Sequence, residues 1–257
     1  MNTNKSSQMY FKKLPLFFSL LLFIASCTPK TDPTFSKQSA FSFSPNKIWA
    51  HRVNSFEELE KKHQLFEGME IDLFYSNATH NFYVAHDEID TLSKIILEEW
   101  IKKIPNPEKN WYWLDLKNLN KKNANVIASV LVDLLNKYGI LNKTICENRN
   151  VKALAVLKSS GLAVSYWVNS DVTFRKFTGN ALWKKRVAKN IAYLKPDALS
   201  SFWWMHPLLD SSFPDENISY WHLPDEGTPE SIEFTKVLCR LSNVKVVLID
   251  DDEPVAY

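Results

Sequence analysis

The sequence predicts an α/β fold, a single-domain TIM (β/α)8 barrel, from two observations. Eight short apolar runs with strand character alternate with amphipathic segments of helical period. That alternation is typical of parallel strands joined by crossover helices. The chain has 257 residues and is 45% hydrophobic, which suits one domain of barrel size or two small ones. An open, doubly wound sheet is the alternative architecture.

The predicted elements follow one another along most of the chain. The strand candidates are residues 47–51, 68–75, 111–117, 143–148, 162–168, 197–203, 218–223 and 244–250. A ninth, short strand at 82–86 lies in the loop after the second. The clearest helix candidates are 55–66, 92–104, 123–139 and 150–161. Ser55 and Glu58 have the spacing of a capping box, which marks the start of the first helix.

The N-terminal segment, residues 1–27, is predicted to be a lipoprotein signal peptide. A lysine-containing start precedes an apolar stretch, 14–26, that is shorter than the ~20 residues of a membrane-spanning helix. The stretch ends in Ile-Ala-Ser-Cys, which resembles a bacterial lipobox and predicts acylation of Cys27. Such a lipid anchor would hold the protein on a membrane of the bacterial cell envelope, outside the cytoplasm. An ordinary cleaved signal peptide or an N-terminal anchor is the alternative.

Residues 28–45 are rich in Ser, Thr and Pro and are predicted to form a flexible tether. The barrel is then predicted to span residues 46–257, and we expect it to be a monomer. Cys146 and Cys239 lack zinc-site spacing, and are expected to be small buried residues or a disulfide.

The charge balance and the glycine count exclude two classes of function. The chain has 31 basic and 29 acidic residues, a net charge of +2, so it has no nucleic-acid footprint. With five glycines, the chain cannot form a glycine-rich phosphate loop.

Charged residues recur at the C-terminal ends of consecutive predicted strands. Glu70 and Asp72 share one face of the second strand because residues i and i+2 of a strand point the same way. Asp115 and Lys117 do so on the third. The first strand ends in His51-Arg52, and His86-Asp87 ends the additional short strand. In a barrel these strand ends form one rim, where active sites lie.

This constellation predicts phosphate chemistry. Glu70, Asp72 and Asp115 offer hard oxygen ligands, which suit Mg²⁺ or Ca²⁺. Two histidines, His51 and His86, would act as general acid and base, since their reference pKa lies near neutrality. The remaining cations, Arg52 and Lys117, would neutralise a bound phosphate.

The ordered pattern His51-Arg52-Val53-Asn54, Glu70-x-Asp72, His86-Asp87 and Asp115-x-Lys117 resembles the phospholipase-C-like phosphodiesterase superfamily. In glycerophosphodiester phosphodiesterases the corresponding pattern is His-Arg-Gly, Glu-x-Asp, His-Asp and Glu-x-Lys. The resemblance implies a TIM barrel, a divalent cation on the carboxylates, and the two histidines as acid and base.

Two departures from that pattern are similar to the sphingomyelinase D branch. They are the Val53-Asn54 pair and the replacement of the usual Glu by Asp115. The cysteine-braced loop of that branch is absent from the sequence, so the resemblance leaves the substrate open.

Four further polar residues are candidates for substrate binding: Asn54, Glu147, Asn169 and His222. For the last three, a rim residue satisfied by its neighbours is the alternative. The paired Trp203 and Trp204 suit either a lipid interface or core packing. The run 250–252 is expected to be a solvated chain end in preference to a metal site.

The function predicted from these features is a metal-dependent phosphodiesterase. It would cleave a glycerophosphodiester or a phospholipid headgroup by histidine acid–base catalysis at the barrel mouth. The alternative is a non-catalytic ligand-binding or structural envelope lipoprotein on a barrel whose site has decayed.

Overall fold

The computed structural model describes residues 39–89, 94–169, 177–221, 228–251 and 254. Eight parallel strands close into a barrel, because the first pairs with both the second and the last. These are β1 (Ile48–Ala50), β2 (Gly68–Ser76), β4 (Trp111–Leu116), β5 (Thr144–Asn148), β6 (Ala163–Trp167), β7 (Ala198–Phe202), β8 (Ile218–Trp221) and β9 (Val244–Ile249). The short strand β3 (Asn81–Val84) runs antiparallel to β2 as an added hairpin. The predicted TIM barrel is therefore confirmed, and the sheet is closed rather than open.

Helices follow the barrel strands and cover the outside of the barrel. They are α1 (Phe56–Lys62), α2 (Leu97–Lys102), α3 (Ala124–Lys137), α4 (Val151–Ser159), α5 (Phe177–Leu194), α6 (His206–Ser212) and α7 (Pro229–Arg240). Short 3-10 turns occupy Pro107–Lys109, Leu141–Lys143 and Trp203–Met205. The side chain of Ser55 accepts a hydrogen bond from the Glu58 backbone N–H and so caps α1 as predicted.

The two faces of the barrel strands have different surroundings. One face packs under the helices in the main apolar core, while alternate residues point into the barrel. An apolar cluster inside the barrel, towards the N-terminal ends of the strands, consists of Trp49, Trp113, Ile145, Ala163, Ala198 and Val246, and Leu248 packs with it. Gly68 makes room for the Trp49 ring, since a Cβ at this position would lie 2.0 Å from a ring carbon. The C-terminal half of the interior holds polar side chains together with several aromatic ones.

Residues 39–45 of the predicted tether lie against the N-terminal end of this interior. Phe41 and Phe43 meet edge to face, with ring centroids 4.9 Å apart, and pack on the interior cluster. Trp111 Nε1 donates to the backbone oxygen of Ser42 at 2.7 Å, and Ser44 Oγ donates to Glu67. The barrel was predicted to begin at residue 46, and the residues just before that boundary also pack against it.

Both barrel cysteines are free thiols, with Cys146 buried and Cys239 half-buried. They do not form the disulfide that the sequence left open. Cys27 lies outside the described residues. Within the described part of the chain, no helix combines the length and apolar character needed to cross a membrane.

Candidate active site

The C-terminal ends of the barrel strands surround one cavity of about 240 Å³. We refer to it as the mouth cavity. Its lining includes eight of the sequence-predicted site residues: His51, Arg52, Glu70, Asp72, His86, Asp115, Lys117 and Glu147. Four apolar or aromatic side chains complete it: Trp167, Phe202, Trp221 and Leu248. The structure therefore brings the predicted catalytic and metal-binding residues together.

Three buried carboxylates form the centre of one side of the cavity. The parallel register aligns Asp72 of β2 with Asp115 of β4, and Glu70 lies two residues earlier on the same face of β2. One oxygen of each carboxylate lies within 4.8 Å of the others. Burial raises the pKa of Glu70 well above its usual range, and the charges of Asp72 and Asp115 raise it further. Burial is also the main cause of the raised pKa of Asp115.

Lys117 is the cation of this cluster. Its Nζ lies 2.6 Å from Asp72 Oδ1 and 2.6 Å from Asp115 Oδ2. These carboxylates raise the pKa of Lys117 despite its burial, so it stays protonated. One ammonium group leaves two negative charges uncompensated when all three carboxylates are ionised, which is the charge a divalent cation supplies. The set of hard oxygen donors therefore fits Mg²⁺ or Ca²⁺.

Backbone hydrogen bonds hold the turn after β1, which contains Arg52, to Glu70. The Arg52 backbone N–H donates to Glu70 Oε2 at 2.7 Å, and the next N–H, of Val53, donates to the Glu70 carbonyl at 2.9 Å. Arg52 has a left-handed backbone with φ of 50°, which is uncommon for a residue with a side chain. This conformation directs its N–H to the carboxylate.

Asn54 holds Asp72 rather than lining the cavity. Its Nδ2 donates to Asp72 Oδ2 at 2.6 Å, and its Oδ1 accepts from the Asp72 backbone N–H at 3.0 Å. Asn54 was predicted to contact substrate. The structure places its amide behind a proposed metal ligand, where it fixes the orientation of that carboxylate.

His51 is buried and lies between two carboxylates. Its Nδ1 is 2.8 Å from Asp250 Oδ1, and its Nε2 is 4.0 Å from Glu70 Oε2. Lys62 Nζ contacts the backbone oxygen of Asp250 at 3.2 Å and holds the end of β9. The sequence favoured a solvated chain end at Asp250. Asp250 is indeed exposed, with 42% of its side chain accessible, but closure of the barrel also places its carboxylate beside His51 at the end of β1.

His86 lies on the open side of the cavity, with 40% of its side chain exposed. Its Nδ1 is 3.1 Å from Asp87 Oδ2, and Arg52 Nη2 is 3.3 Å from its Nε2. A guanidinium group can only donate. Nε2 of His86 is therefore the acceptor in this contact, and Nδ1 carries the hydrogen directed at Asp87.

Glu147 forms part of the floor of the cavity and is 4% exposed. It accepts from Trp113 Nε1 at 3.2 Å and from the Ser200 hydroxyl. Burial, followed by the charge of Asp115, raises the pKa of Glu147 to about 8. The predicted position of Glu147 at the mouth is thus correct, and its carboxylate is held by two neutral donors.

Three aromatic side chains form the wall opposite the acidic cluster, and sequence reasoning missed them. Trp167, Phe202 and Trp221 end the neighbouring strands β6, β7 and β8. Each lies two residues after a buried serine on its strand: Ser165, Ser200 and Ser219. That alternation was the available signal, since residues i and i+2 share a face.

Of the weaker predictions, Asn169 is not among the described residues that line the mouth cavity. Asn169 follows β6, and its backbone oxygen accepts from Trp183 Nε1 at 3.1 Å. His222 lies outside the described residues. Trp203 packs on Phe234 with ring centroids 5.3 Å apart, whereas Trp204 stacks on Phe202 at 4.2 Å and is 36% exposed.

Comparisons with known proteins find similarity at the level of the fold. No protein-family model matches the chain, and no curated protein matches it significantly. A solved glycerophosphodiester phosphodiesterase from Parabacteroides distasonis is 14% identical, with a TM-score of 0.58, over 81% of this chain and 94% of that one. An Oleispira antarctica phosphodiesterase, solved with the product sn-glycerol-3-phosphate, is 17% identical, with a TM-score of 0.60, over 83% and 96%.

These solved structures belong to the superfamily that the sequence pattern resembles. At such identities the likeness is evidence of fold and not of activity. The chain shares the TIM-barrel fold of the glycerophosphodiester phosphodiesterases.

Proposed function

We propose that this protein is a phosphodiesterase that cleaves a glycerophosphodiester or a phospholipid headgroup. The observation that carries the proposal is the mouth cavity, where three buried carboxylates, two histidines and two cationic side chains converge. The fold shared with solved glycerophosphodiester phosphodiesterases supports it. The sn-glycerol-3-phosphate bound to the Oleispira antarctica enzyme favours a substrate of the same chemical type.

Glu70, Asp72 and Asp115 would hold Mg²⁺ or Ca²⁺. A divalent cation there supplies charge neutralisation for a phosphoryl oxygen. The chain's own cations add to this: Lys117 lies between two of the carboxylates, and Arg52 reaches across the cavity to His86. Asn54 keeps Asp72 oriented towards the site.

The two histidines differ in a way that assigns their roles. His51 is 7% exposed in its side chain and faces the Asp250 carboxylate, which would stabilise the imidazolium formed when His51 accepts a proton. We assign His51 as the base that takes the proton of the attacking hydroxyl group. His86 lies at the open side of the cavity, so we assign it as the acid. Its Nε2 would take up a proton when substrate displaces the contact with Arg52, and would pass that proton to the leaving alcohol oxygen.

The attacking group decides the product. Attack by water on phosphorus breaks the bond to the leaving oxygen and gives a phosphomonoester. Attack by a neighbouring hydroxyl of the substrate gives a cyclic phosphate, with the same proton transfers at His51 and His86.

The proposal extends to the location of the protein. The lipobox at Cys27 supports a lipid-anchored monomer of the bacterial cell envelope that faces an extracytoplasmic space. Mass spectrometry of the purified chain would detect the acyl mass on a peptide beginning at Cys27. A Cys27→Ala variant that still fractionates with membranes would contradict the anchor.

The test of the activity is ³¹P NMR of a mixed panel of glycerophosphodiesters and lysophospholipids, with Mg²⁺, with Ca²⁺ or with EDTA. We expect one or more diester signals to disappear only with a cation. His51→Ala and His86→Ala should each lower turnover by at least about 100-fold. His63→Ala is the matched control, because His63 ends α1 and does not line the cavity.

An unchanged panel with every cation would overturn the proposed activity. Cation binding without turnover would instead favour the ligand-binding alternative. The shift of the product signal separates a monoester from a cyclic phosphate.

A further inference from the structure

The outer face of α5 carries positive charge that no carboxylate of the helix balances. The helix contains no acidic residue, and four of its cationic side chains are exposed: Lys184, Lys185, Arg186 and Lys189. Among the described residues, no carboxylate lies within ion-pair distance of any of these four cations.

Lysines on other helices of the barrel are paired with acidic residues. On α1, Glu57 and Glu58 each lie 2.9 Å from the ammonium group of the lysine one turn later. Glu98 of α2 lies within 3.3 Å of two lysine ammonium groups. Solvated helix faces usually mix charges of both signs in this way. The unbalanced charge of α5 is therefore a local feature, in a chain whose net charge is +2.

Contacts with the barrel determine which side of α5 faces outward. Trp183 and Val187 are buried, and the Trp183 ring packs on Phe213 with centroids 6.0 Å apart. One turn further along, Asn190 Nδ2 donates to the Tyr166 hydroxyl at 2.8 Å. The opposite side of the helix therefore faces away from the core.

An exposed leucine lies among the cations on this outer side. Leu182, Lys185, Arg186 and Lys189 have the spacing i, i+3, i+4 and i+7, which places them on one stripe of a helix. We refer to these four residues as the α5 stripe. The Leu182 side chain is 72% exposed, so the fold gains little from it. A stripe of this composition suits a partner that offers both negative charge and hydrocarbon.

We propose that the α5 stripe docks the protein on an anionic phospholipid bilayer. The three cations would pair with lipid phosphates, and Leu182 would enter the boundary between the headgroups and the acyl chains. Because the apolar side of α5 is packed on the barrel, the helix lies on the bilayer and does not insert. This interaction goes beyond the proposed phosphodiesterase, since no residue of the α5 stripe lines the mouth cavity.

Two features favour lipid over nucleic acid, the other polyanion that a basic stripe could meet. The sugar-phosphate backbone offers charge but no hydrocarbon for Leu182. The lipobox at Cys27 predicts an acyl anchor, and stable membrane attachment through acyl chains commonly adds a basic patch as a second signal.

The first arm of the test uses the full-length chain with Cys27→Ala, so that no acyl chain contributes to binding. Co-sedimentation measures its partition onto vesicles of phosphatidylcholine and onto vesicles with equal parts of phosphatidylcholine and phosphatidylglycerol. We expect at least about tenfold stronger partition onto the anionic vesicles at low salt, and loss of this preference at high salt. Equal partition onto both kinds of vesicle would overturn the proposal.

The second arm assigns the binding to α5. In the same chain, Lys185→Gln with Lys189→Gln should lower partition onto the anionic vesicles at least about tenfold, because each lysine near such a surface contributes about fivefold. Glutamine has nearly the helix propensity of lysine, so α5 is retained. The matched control, Lys121→Gln with Lys122→Gln, removes the same charge from an exposed turn before α3 and should partition like the parent. An equal loss in both double variants would overturn the assignment to α5.

The third arm separates lipid from nucleic acid. Leu182→Gln should weaken partition onto the anionic vesicles at least about threefold, because it removes hydrocarbon that would otherwise leave water. A duplex DNA oligonucleotide that binds more tightly than the vesicles, with neither ligand affected by Leu182→Gln, would overturn the proposal in favour of nucleic acid.

Two further readouts keep this docking distinct from the other proposals. Turnover of a soluble glycerophosphodiester should be the same in every variant of α5, so failure of the proposed activity leaves the docking result intact. High salt releases the α5 stripe but not an acyl chain. The fractionation of Cys27→Ala is therefore compared with that of the wild type after a high-salt wash of the membranes.

Discussion

Asn54 and Asp72 are joined twice, since the Asn54 amide donates to the Asp72 carboxylate and accepts from the Asp72 backbone N–H. The pair lets the turn after β1 orient a carboxylate of β2. Asn54→Ala should weaken cation affinity about 10- to 100-fold, the usual effect of losing a group that orients a metal ligand. Isothermal titration with Mg²⁺ or Ca²⁺ measures this. An affinity equal to that of the wild type would show that Asp72 needs no such support.

A divalent cation should stabilise the fold through the acidic cluster. Binding to the folded state alone adds about 2.7 kcal/mol to the free energy of unfolding at a concentration 100 times the Kd. We expect the melting temperature to be higher with Mg²⁺ or Ca²⁺ than with EDTA. The Asp72→Asn variant should lose this cation-dependent rise in melting temperature. The control is Asp133→Asn, on the exposed side of α3, and this variant should keep the rise in melting temperature. An equal rise in melting temperature in both variants would show that the cation binds outside the acidic cluster.

Glu147 should make the stability of the cation-free protein depend on pH. Burial and Asp115 raise its pKa to about 8, above the value of about 4.3 for an unfolded glutamate. Its contribution to stability is therefore full below about pH 4 and is lost as the pH rises to about 8. Between pH 5 and 8, the free energy of unfolding should fall by up to about 1.4 kcal/mol per pH unit more than in Glu147→Gln.

Urea unfolding with EDTA at each pH measures this difference. The comparison removes Glu147 together with its interaction with Asp115, whereas Glu70, whose pKa is also raised, remains in both proteins. Parallel pH profiles of the two proteins would show that Glu147 does not titrate in this range.

The segment before β1 should contribute to stability without affecting activity. Phe43 packs on the apolar interior at the N-terminal end of the barrel, opposite the mouth cavity. Phe43→Ala should lower the free energy of unfolding by about 1–2 kcal/mol, less than for a fully buried ring, and leave kcat/KM unchanged. Leu65→Ala, at a side chain that is 47% exposed, is the control. Urea unfolding measures the stability and a turnover assay measures kcat/KM. An unchanged free energy of unfolding in Phe43→Ala would indicate that the segment does not pack on the barrel.

The sequence predicted the barrel and the charged half of the site for the same reason. Alternation along a strand and the position of a strand end are local properties, so Glu70, Asp72, Asp115 and Lys117 could be assigned to one rim. Their convergence in the structure follows from the parallel register of β2 and β4.

Other parts of the site depend on contacts that only closure of the barrel creates. The approach of Asp250 to His51 requires β9 to pair with β1. The wall of Trp167, Phe202 and Trp221 requires β6, β7 and β8 to be neighbours. Likewise, the composition of residues 28–45 indicates a tether, while the contacts of Phe41 and Phe43 with the interior are tertiary. The role of Asn54 was also hidden, because an amide can serve substrate or protein equally well.

At Arg52, the residue that would be best for stability differs from the residue that the proposed function needs. The φ of 50° at this position costs a residue with a side chain about 1 kcal/mol, and glycine would adopt it freely while keeping the N–H that bonds to Glu70. Directed evolution for heat resistance alone would therefore favour glycine here and remove a guanidinium group from the mouth cavity. A thermostability screen of this chain needs turnover as a second criterion, because one of the available gains lies inside the site.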